Sequence, residues 1–306
     1  METIFEAQSL TKKYRDFKAL DDFTMHIPKG SIYGFVGRNG AGKTTLIRIL
    51  CGLQSPTLGT FSLYGKDAQS RELNALRRRM GALVETPSIY LNMTAEENLR
   101  VQAMRLGLPS DKFIPELLAQ VGLSQAGRKK ARHFSLGMRQ RLGIAVALVG
   151  DPDFLVLDEP ITGLDPQGII DIRELILLLH RERQLTVLIS SHILGELSRL
   201  ATHYGFIDHG HMIQKISAQE LENACRKCTH VEVTDTKILA RVLDAAGVEF
   251  SIENDREANL FQDLPVSQLV LSLHQAGCDV LTLTQRDETL ESYYMNLVGG
   301  DETWGI

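Results

Sequence analysis

No stretch of this 306-residue chain approaches the roughly 18–20 consecutive apolar residues of a membrane-spanning helix. The longest candidates, around Leu142–Val149 and Leu175–Leu179, are short and interrupted. The opening Met1-Glu2-Thr3-Ile4-Phe5-Glu6 carries acids where a signal peptide needs its positive region, so no export signal is expected. Cysteine is scarce. Cys51, Cys225, Cys228 and Cys278 fit a reducing compartment in which thiols stay free. Cys225 and Cys228 make one C-x-x-C near His230, but no second pair completes a four-ligand zinc site. His209-Gly210-His211 is equally short of ligands and reads as a hairpin turn. There is no low-complexity tract and no sustained heptad pattern, which excludes fibrous and coiled-coil classes. What remains, 43% hydrophobic and 23% charged residues, is the composition of a globular chain expected in the cytoplasm.

Charge is divided unevenly along the chain. Residues 1–216 carry 27 basic and 22 acidic side chains, whereas residues 217–306 carry 6 and 16, so the net charge changes sign from +5 to −10. That change marks a domain boundary, and an acidic second unit argues against nucleic-acid binding. Its periodicity predicts helix 218–225, strand 230–233, helix 237–246, strand 248–252, a brief strand near 258–261, helix 266–275, strand 280–284 and helix 288–298. The β-α-β-β-α-β order within it suggests a small ferredoxin-like α+β domain. In the first unit, residues 86–130 are rich in helix signals, including Thr94 with Glu97 three residues on, the pattern of a capping box.

Three segments carry chemistry. Gly37-Arg38-Asn39-Gly40-Ala41-Gly42-Lys43-Thr44 follows the apolar strand Ser31–Val36 and opens a helix at Thr44-Thr45. Small residues there let successive N–H groups converge on phosphate oxygens; Lys43 adds a positive charge between β- and γ-phosphates, and the Thr44 hydroxyl can ligate magnesium. Phe154–Leu157 reads as a strand buried on both faces, ending in Asp158, which is placed to hold magnesium through water. Glu159 faces away from Asp158 because side chains alternate along extended chain, and is the candidate general base toward the attacking water. The third segment, Phe134-Ser135-Leu136-Gly137-Met138-Arg139-Gln140, precedes a helix-compatible apolar run. Ser135 at the helix start, with the exposed N–H groups beside it, makes an anion site at the positive end of the dipole.

This ordered set resembles the ATP-binding subunit of ABC transporters over roughly residues 1–216. The resemblance implies an α/β P-loop NTPase core with an antiparallel β subdomain and a helical subdomain at about 86–150, plus the small C-terminal domain. It makes Tyr14 the aromatic that stacks on adenine, Gly163-Leu164-Asp165 the loop that crosses a dimer interface, and His192 the switch histidine near the γ-phosphate. Nucleotide contacts then fall to Tyr14, Gly37, Arg38, Asn39, Gly40, Ala41, Gly42, Lys43, Thr44, Thr45, Ser135, Gly137 and Asp165, with Lys43, Glu159 and His192 catalytic. The cofactors implied are ATP and Mg²⁺. Ser135 and Gly137 would meet the ATP held by another copy, so a homodimer is implied. The helical lobe would meet an integral membrane permease, placing the chain on the inner face of the cell membrane.

Two departures narrow the resemblance. The family's usual Leu-Ser-Gly-Gly-Gln is altered at Phe134, Leu136 and Met138, and a glutamine of the family is replaced by Glu85. A carboxylate there can replace the amide oxygen as a magnesium ligand, which makes the expected metal set Thr44, Glu85 and Asp158. Together these variants resemble the branch of bacitracin-resistance and lantibiotic-immunity exporters. The function implied is ATP hydrolysis driving export of a peptide antibiotic. The alternative is a soluble ABC ATPase acting on ribosomes or nucleic acid; such relatives usually carry two ATP units or a long coiled coil, and this chain has one glycine loop and neither feature.

Overall fold

The computed structural model describes residues 2–225, 228–262, 265–286 and 290–298. Arg226 and Lys227, inside the C-x-x-C, and Glu288, where the last helix was expected to start, lie outside them. The chain divides into two compact units, Met1–Ala218 and Gln219–Ile306.

In the first unit the elements run β1 (Thr3–Tyr14), β2 (Phe17–Pro28), β3 (Ile32–Val36), α1 (Lys43–Leu50), β4 (Leu58–Leu63), β5 (Lys66–Asp67), α2 (Leu73–Arg77) and β6 (Met80–Leu83). They continue through α3 (Ala95–Leu106), α4 (Ile114–Gln120), α5 (Leu136–Leu148), β7 (Phe154–Asp158), α6 (Pro166–Arg183), β8 (Thr186–Ser191), α7 (Leu194–Leu197), β9 (His203–Asp208) and β10 (His211–Ser217). Strands β2-β1-β4-β5 form an antiparallel sheet, and register shifts along β1 break the alternation of buried and exposed residues, so that Ile4 and Phe5 are both buried and Gln8 and Ser9 both exposed. The second sheet, β10-β9-β3-β8-β7-β6, is parallel from β9 to β6. Its strands β3, β7 and β8 are buried at every position, as a sheet covered on both faces requires. Between the two sheets Leu46, Ile47 and Leu50 of α1 pack with Phe5, Phe23, Phe35, Phe61 and Phe154 in one core.

Helix ends follow local chemistry. Thr94 and Glu97 form a reciprocal capping box, Oγ1 accepting from the Glu97 N–H at 3.2 Å and Oε2 from the Thr94 N–H at 2.7 Å. Ser135 caps α5 by accepting from the Met138 N–H at 3.2 Å. His209 and Gly210, at φ 44° and 81°, turn the chain from β9 to β10.

The chain continues through α8 (Ala218–Ala224), whose first residue closes the first unit, and the second unit then holds β11 (Cys228–Val233), α9 (Thr236–Ala246), β12 (Phe250–Ile252), β13 (Glu257–Leu260), α10 (Val266–Gln275), β14 (Val280–Arg286) and α11 (Leu290–Leu297). Its sheet is antiparallel with order β12-β13-β11-β14. Val231, Val233, Leu239, Leu243, Leu260, Leu269 and Leu273 make its own core.

One close approach sets where α5 lies on the parallel sheet. A Cβ on Gly81 of β6 would stand 2.1 Å from the Ala147 carbonyl oxygen, and one on Gly143 of α5 would stand 2.5 Å from Leu83 Cδ1. The Gly81 contact is with backbone, which cannot swing aside. Gly81→Ala is therefore expected to cost about 1–3 kcal/mol as an overpacking change, with each kcal/mol lowering Tm by roughly 2–4 °C in a unit of this size. A thermal melt checks this; an unchanged Tm would show that the α5–β6 contact relaxes freely.

Candidate active site

Four neighbouring strands of the parallel sheet, β3, β8, β7 and β6, end at one edge, where α/β proteins place their ligands. The loop after β3 is the glycine loop, β7 ends in Asp158-Glu159, β8 is followed by His192, and β6 by Glu85. Register aligns Val36 with Ser191 and Asp158 with Ser190, which brings three of these loop starts level.

The glycines of the loop answer steric and dihedral demands. A Cβ on Gly37 would fall 2.5 Å from the Ile207 carbonyl oxygen. Gly42 adopts φ 113° immediately before α1, and a Cβ there would meet the Ala19 carbonyl oxygen at 2.4 Å. The Lys43 side chain curls back under the loop. Its Nζ donates to the carbonyl oxygens of Gly37 at 2.6 Å and Arg38 at 3.1 Å and lies 3.2 Å from Glu159 Oε1. A cavity of about 300 Å³ opens over the loop. Tyr14, Asn39, Gly40, Gly42, Lys43, Thr44, Thr45 and Glu159 line it, joined by Phe17, Ala19 and Arg48.

The carboxylates at the end of β7 divide into two environments. Asp158 is almost fully buried; its Oδ1 accepts from the Ser190 hydroxyl at 2.6 Å, while Oδ2 is buried with no hydrogen-bond partner among the described residues. Such an oxygen suits a hard cation. Ser190 also accepts from the Glu159 N–H at 2.9 Å, so one hydroxyl fixes both acids. Glu159 adopts φ 49°, a left-handed conformation rare for a residue with a side chain, and this aims its carboxylate at the glycine loop. Oε2 accepts from the Thr162 hydroxyl at 2.9 Å and from His192 Nδ1 at 2.9 Å, so that nitrogen carries the proton. Burial pushes the Glu159 carboxyl up, but the Lys43 charge, the Thr162 hydroxyl and His192 together outweigh it and hold the group below its ordinary value.

Other candidate residues sit elsewhere. Glu85, at φ 59° and half exposed, pairs with Arg48 across 37 residues of sequence. It lines a separate cavity of about 520 Å³ with Arg48, Cys51, Arg77 and Ser88, and is not among the residues lining the glycine-loop cavity. The Arg48 guanidinium, reaching from α1, holds its carboxylate there. Ser135 and Gly137 at the start of α5, and Asp165 before α6, also stand outside the glycine-loop cavity of their own chain.

Several contributors escape sequence reading. Phe17 opposes Tyr14 across the two-residue turn between β1 and β2, and both aromatics are exposed at the cavity mouth. The Tyr14 hydroxyl donates to Gln54, whose amide donates in turn to the Thr45 carbonyl at 3.0 Å. That chain fixes the ring relative to α1. An aromatic at a two-residue turn was the available signal for Phe17; nothing local marks Gln54, Ser190 or Thr162.

The ABC transporter family model matches residues 20–162. The bacitracin transport ATP-binding protein BcrA of Bacillus licheniformis is 39% identical, over 98% of this chain and 99% of that protein. The lantibiotic transport ATP-binding protein SrtF of Streptococcus pyogenes is 41% identical, over 72% of this chain and 93% of its own length. Among solved structures, an ATP-binding subunit of an ABC transporter superimposes with a TM-score of 0.63 at 30% identity, covering 72% of this chain and 93% of that one.

Proposed function

From a chain that belongs to the ABC transporter family as an ATP-hydrolysing subunit, we propose that it powers export of a peptide antibiotic through a separate integral membrane permease. The observation that carries the hydrolytic role is the arrangement of Glu159, which lines the glycine-loop cavity and is held by Lys43, Thr162 and His192. Likeness to a bacitracin transport ATP-binding protein over 98% of this chain, including the acidic second unit, supports the peptide cargo. We assign that unit as a ferredoxin-like accessory domain on its strand order and connectivity.

ATP enters with its triphosphate along the loop N–H groups and its base against Tyr14, with Phe17 beside it. Lys43, already turned toward the loop carbonyls, adds the phosphate oxygens to its partners. Thr44 and Asp158 would hold Mg²⁺, which supplies neutralisation of charge on the β- and γ-phosphates. Glu159 accepts a proton from water as that water's oxygen bonds to the γ-phosphorus and the bond to the β–γ bridging oxygen breaks, giving ADP and phosphate. His192 keeps the Glu159 carboxylate oriented through Nδ1.

Ser135 and Gly137 lie at an exposed helix start outside their own chain's cavity, which supports a homodimer in which each copy completes the site of the other. ATP then acts as the ligand of the closed form, and its higher affinity for that form does work on the permease. Among the described residues no helix is long and apolar enough to cross a membrane, so the proposed location, the inner membrane face, depends on that partner.

Detergent extracts of membranes containing a tagged chain test the proposal. An integral membrane protein should copurify, and the ATPase rate of the pair should rise severalfold on adding bacitracin or a lantibiotic. Recovery of ribosomal proteins with no membrane protein would favour the non-transport alternative; a pair that neither peptide stimulates would overturn the cargo.

A further inference from the structure

We propose that Gln140 is a positioning residue for Glu159, tying the loop after β7 to the second turn of α5. The inference rests on reading Glu159 as the base. The Gln140 side chain, 4% exposed, donates through Nε2 to the Pro160 carbonyl oxygen at 2.9 Å. The amide must present its nitrogen there, because a backbone carbonyl can only accept. Pro160 directly follows Glu159, whose positive φ makes its side-chain direction dependent on where the next residues are held.

Two further features set this contact apart from routine burial of a polar side chain. The Gln140 Oε1 is buried without a hydrogen-bond partner among the described residues, an unfavourable arrangement that a methionine of similar volume would avoid. The amide is thus costly for packing, and the bond it makes to Pro160 is its return. The same loop also lies along the first turn of α5. A Cβ on Gly163 would stand 3.4 Å from Leu136 Cδ2, and one on Gly137 would stand 3.9 Å from Leu164 Cδ2. Residues 160–164 are therefore held to α5 at two levels, by an apolar contact at its start and a hydrogen bond one turn on. The start of α5 is the surface proposed to meet the ATP of a second copy. Movement of α5 on that ATP would draw on Pro160 and reset the Glu159 carboxylate in the cavity of its own chain.

Gln140→Met tests this in the full-length protein, since it keeps volume and removes the donor. Turnover per folded molecule should fall about 10-fold or more, with ATP affinity within twofold of wild type. In a Glu159→Gln background the same change should leave residual turnover unaltered, because the group being positioned is gone. Wild-type turnover in Gln140→Met, or an equal fold-loss in both backgrounds, would overturn the proposal. Should Gln140→Met fail to fold, Gln140→Glu supplies a second reading. A protonated carboxyl still donates to Pro160 and an ionised one repels it, so its turnover relative to wild type should rise as pH falls. A ratio independent of pH would overturn the proposal equally. Near-wild-type turnover in Glu159→Gln alone would instead remove the base assignment, a separate result.

Discussion

Lys43→Ala is expected to weaken ATP binding by roughly 10²–10⁴-fold, taking two lost hydrogen bonds to charged phosphate oxygens at about 1.5–3 kcal/mol each. Lys43 is the cation at the centre of the site: its side chain is 6% exposed and its Nζ is held by two loop carbonyls beside Glu159. Titration calorimetry with ATP in the presence of Mg²⁺ checks the affinity, and circular dichroism checks that the chain stays folded. The substitution also removes the largest of the influences that lower the Glu159 carboxyl. A carboxylate with a depressed value stabilises the fold above its unfolded-state value and loses that contribution as pH falls through the folded one. Without Lys43 the folded value moves up, so acid unfolding of the variant should begin at higher pH than in wild type. ATP affinity retained within a few-fold would remove the phosphate site from this loop.

Local chemistry made much of the first unit readable. The capping box at Thr94 and Glu97 needs only four residues, and the strand, glycine loop and helix from β3 to α1 need about twenty. Both are set by short-range rules, one by hydrogen-bonding groups at a helix end and the other by apolar runs punctuated with glycine. The strands and helices of the acidic unit were similarly legible from periodicity, with boundaries moving by a few residues; the strand expected at 248–252, for example, begins at Phe250.

Contacts across long stretches of sequence were not legible. Ser190 joins Asp158 and Glu159 only because β7 and β8 are neighbours in the sheet, and no residue type near either strand announces that pairing. Arg48 takes Glu85 because α1 and the end of β6 face the same cavity. The Glu85 carboxylate has the chemistry of a magnesium ligand, and the guanidinium it pairs with lies 37 residues away in sequence, out of reach of any local reading. The left-handed backbone at Glu159 is likewise invisible locally: glutamate has no preference for it, and the hydrogen bonds on either side of it, to the Ser190 hydroxyl and from Gln140 to the Pro160 carbonyl, come from residues distant in sequence.

Glu159→Gln should keep ATP binding and reduce turnover by about 10²–10⁴-fold, the range for removing a general base. The amide fits the same volume and its oxygen can still accept from Thr162 or His192, so the cavity keeps its shape. What it loses is the capacity to take a proton from water, together with the negative charge beside Lys43. Losing that charge removes the carboxylate that competes with phosphate for the Lys43 ammonium, which keeps its bonds to the Gly37 and Arg38 carbonyls, so affinity should hold or improve. With binding intact and hydrolysis blocked, ATP cannot be removed from the closed form, and the population should accumulate as an ATP-bound dimer. Light scattering should then give twice the monomer mass with ATP and the monomer mass without it. Phosphate release measured beside the scattering separates the two halves of the claim. Turnover near the wild-type rate would remove Glu159 as the base, while blocked turnover with monomer mass at saturating ATP would remove the homodimer and leave the catalytic assignment standing.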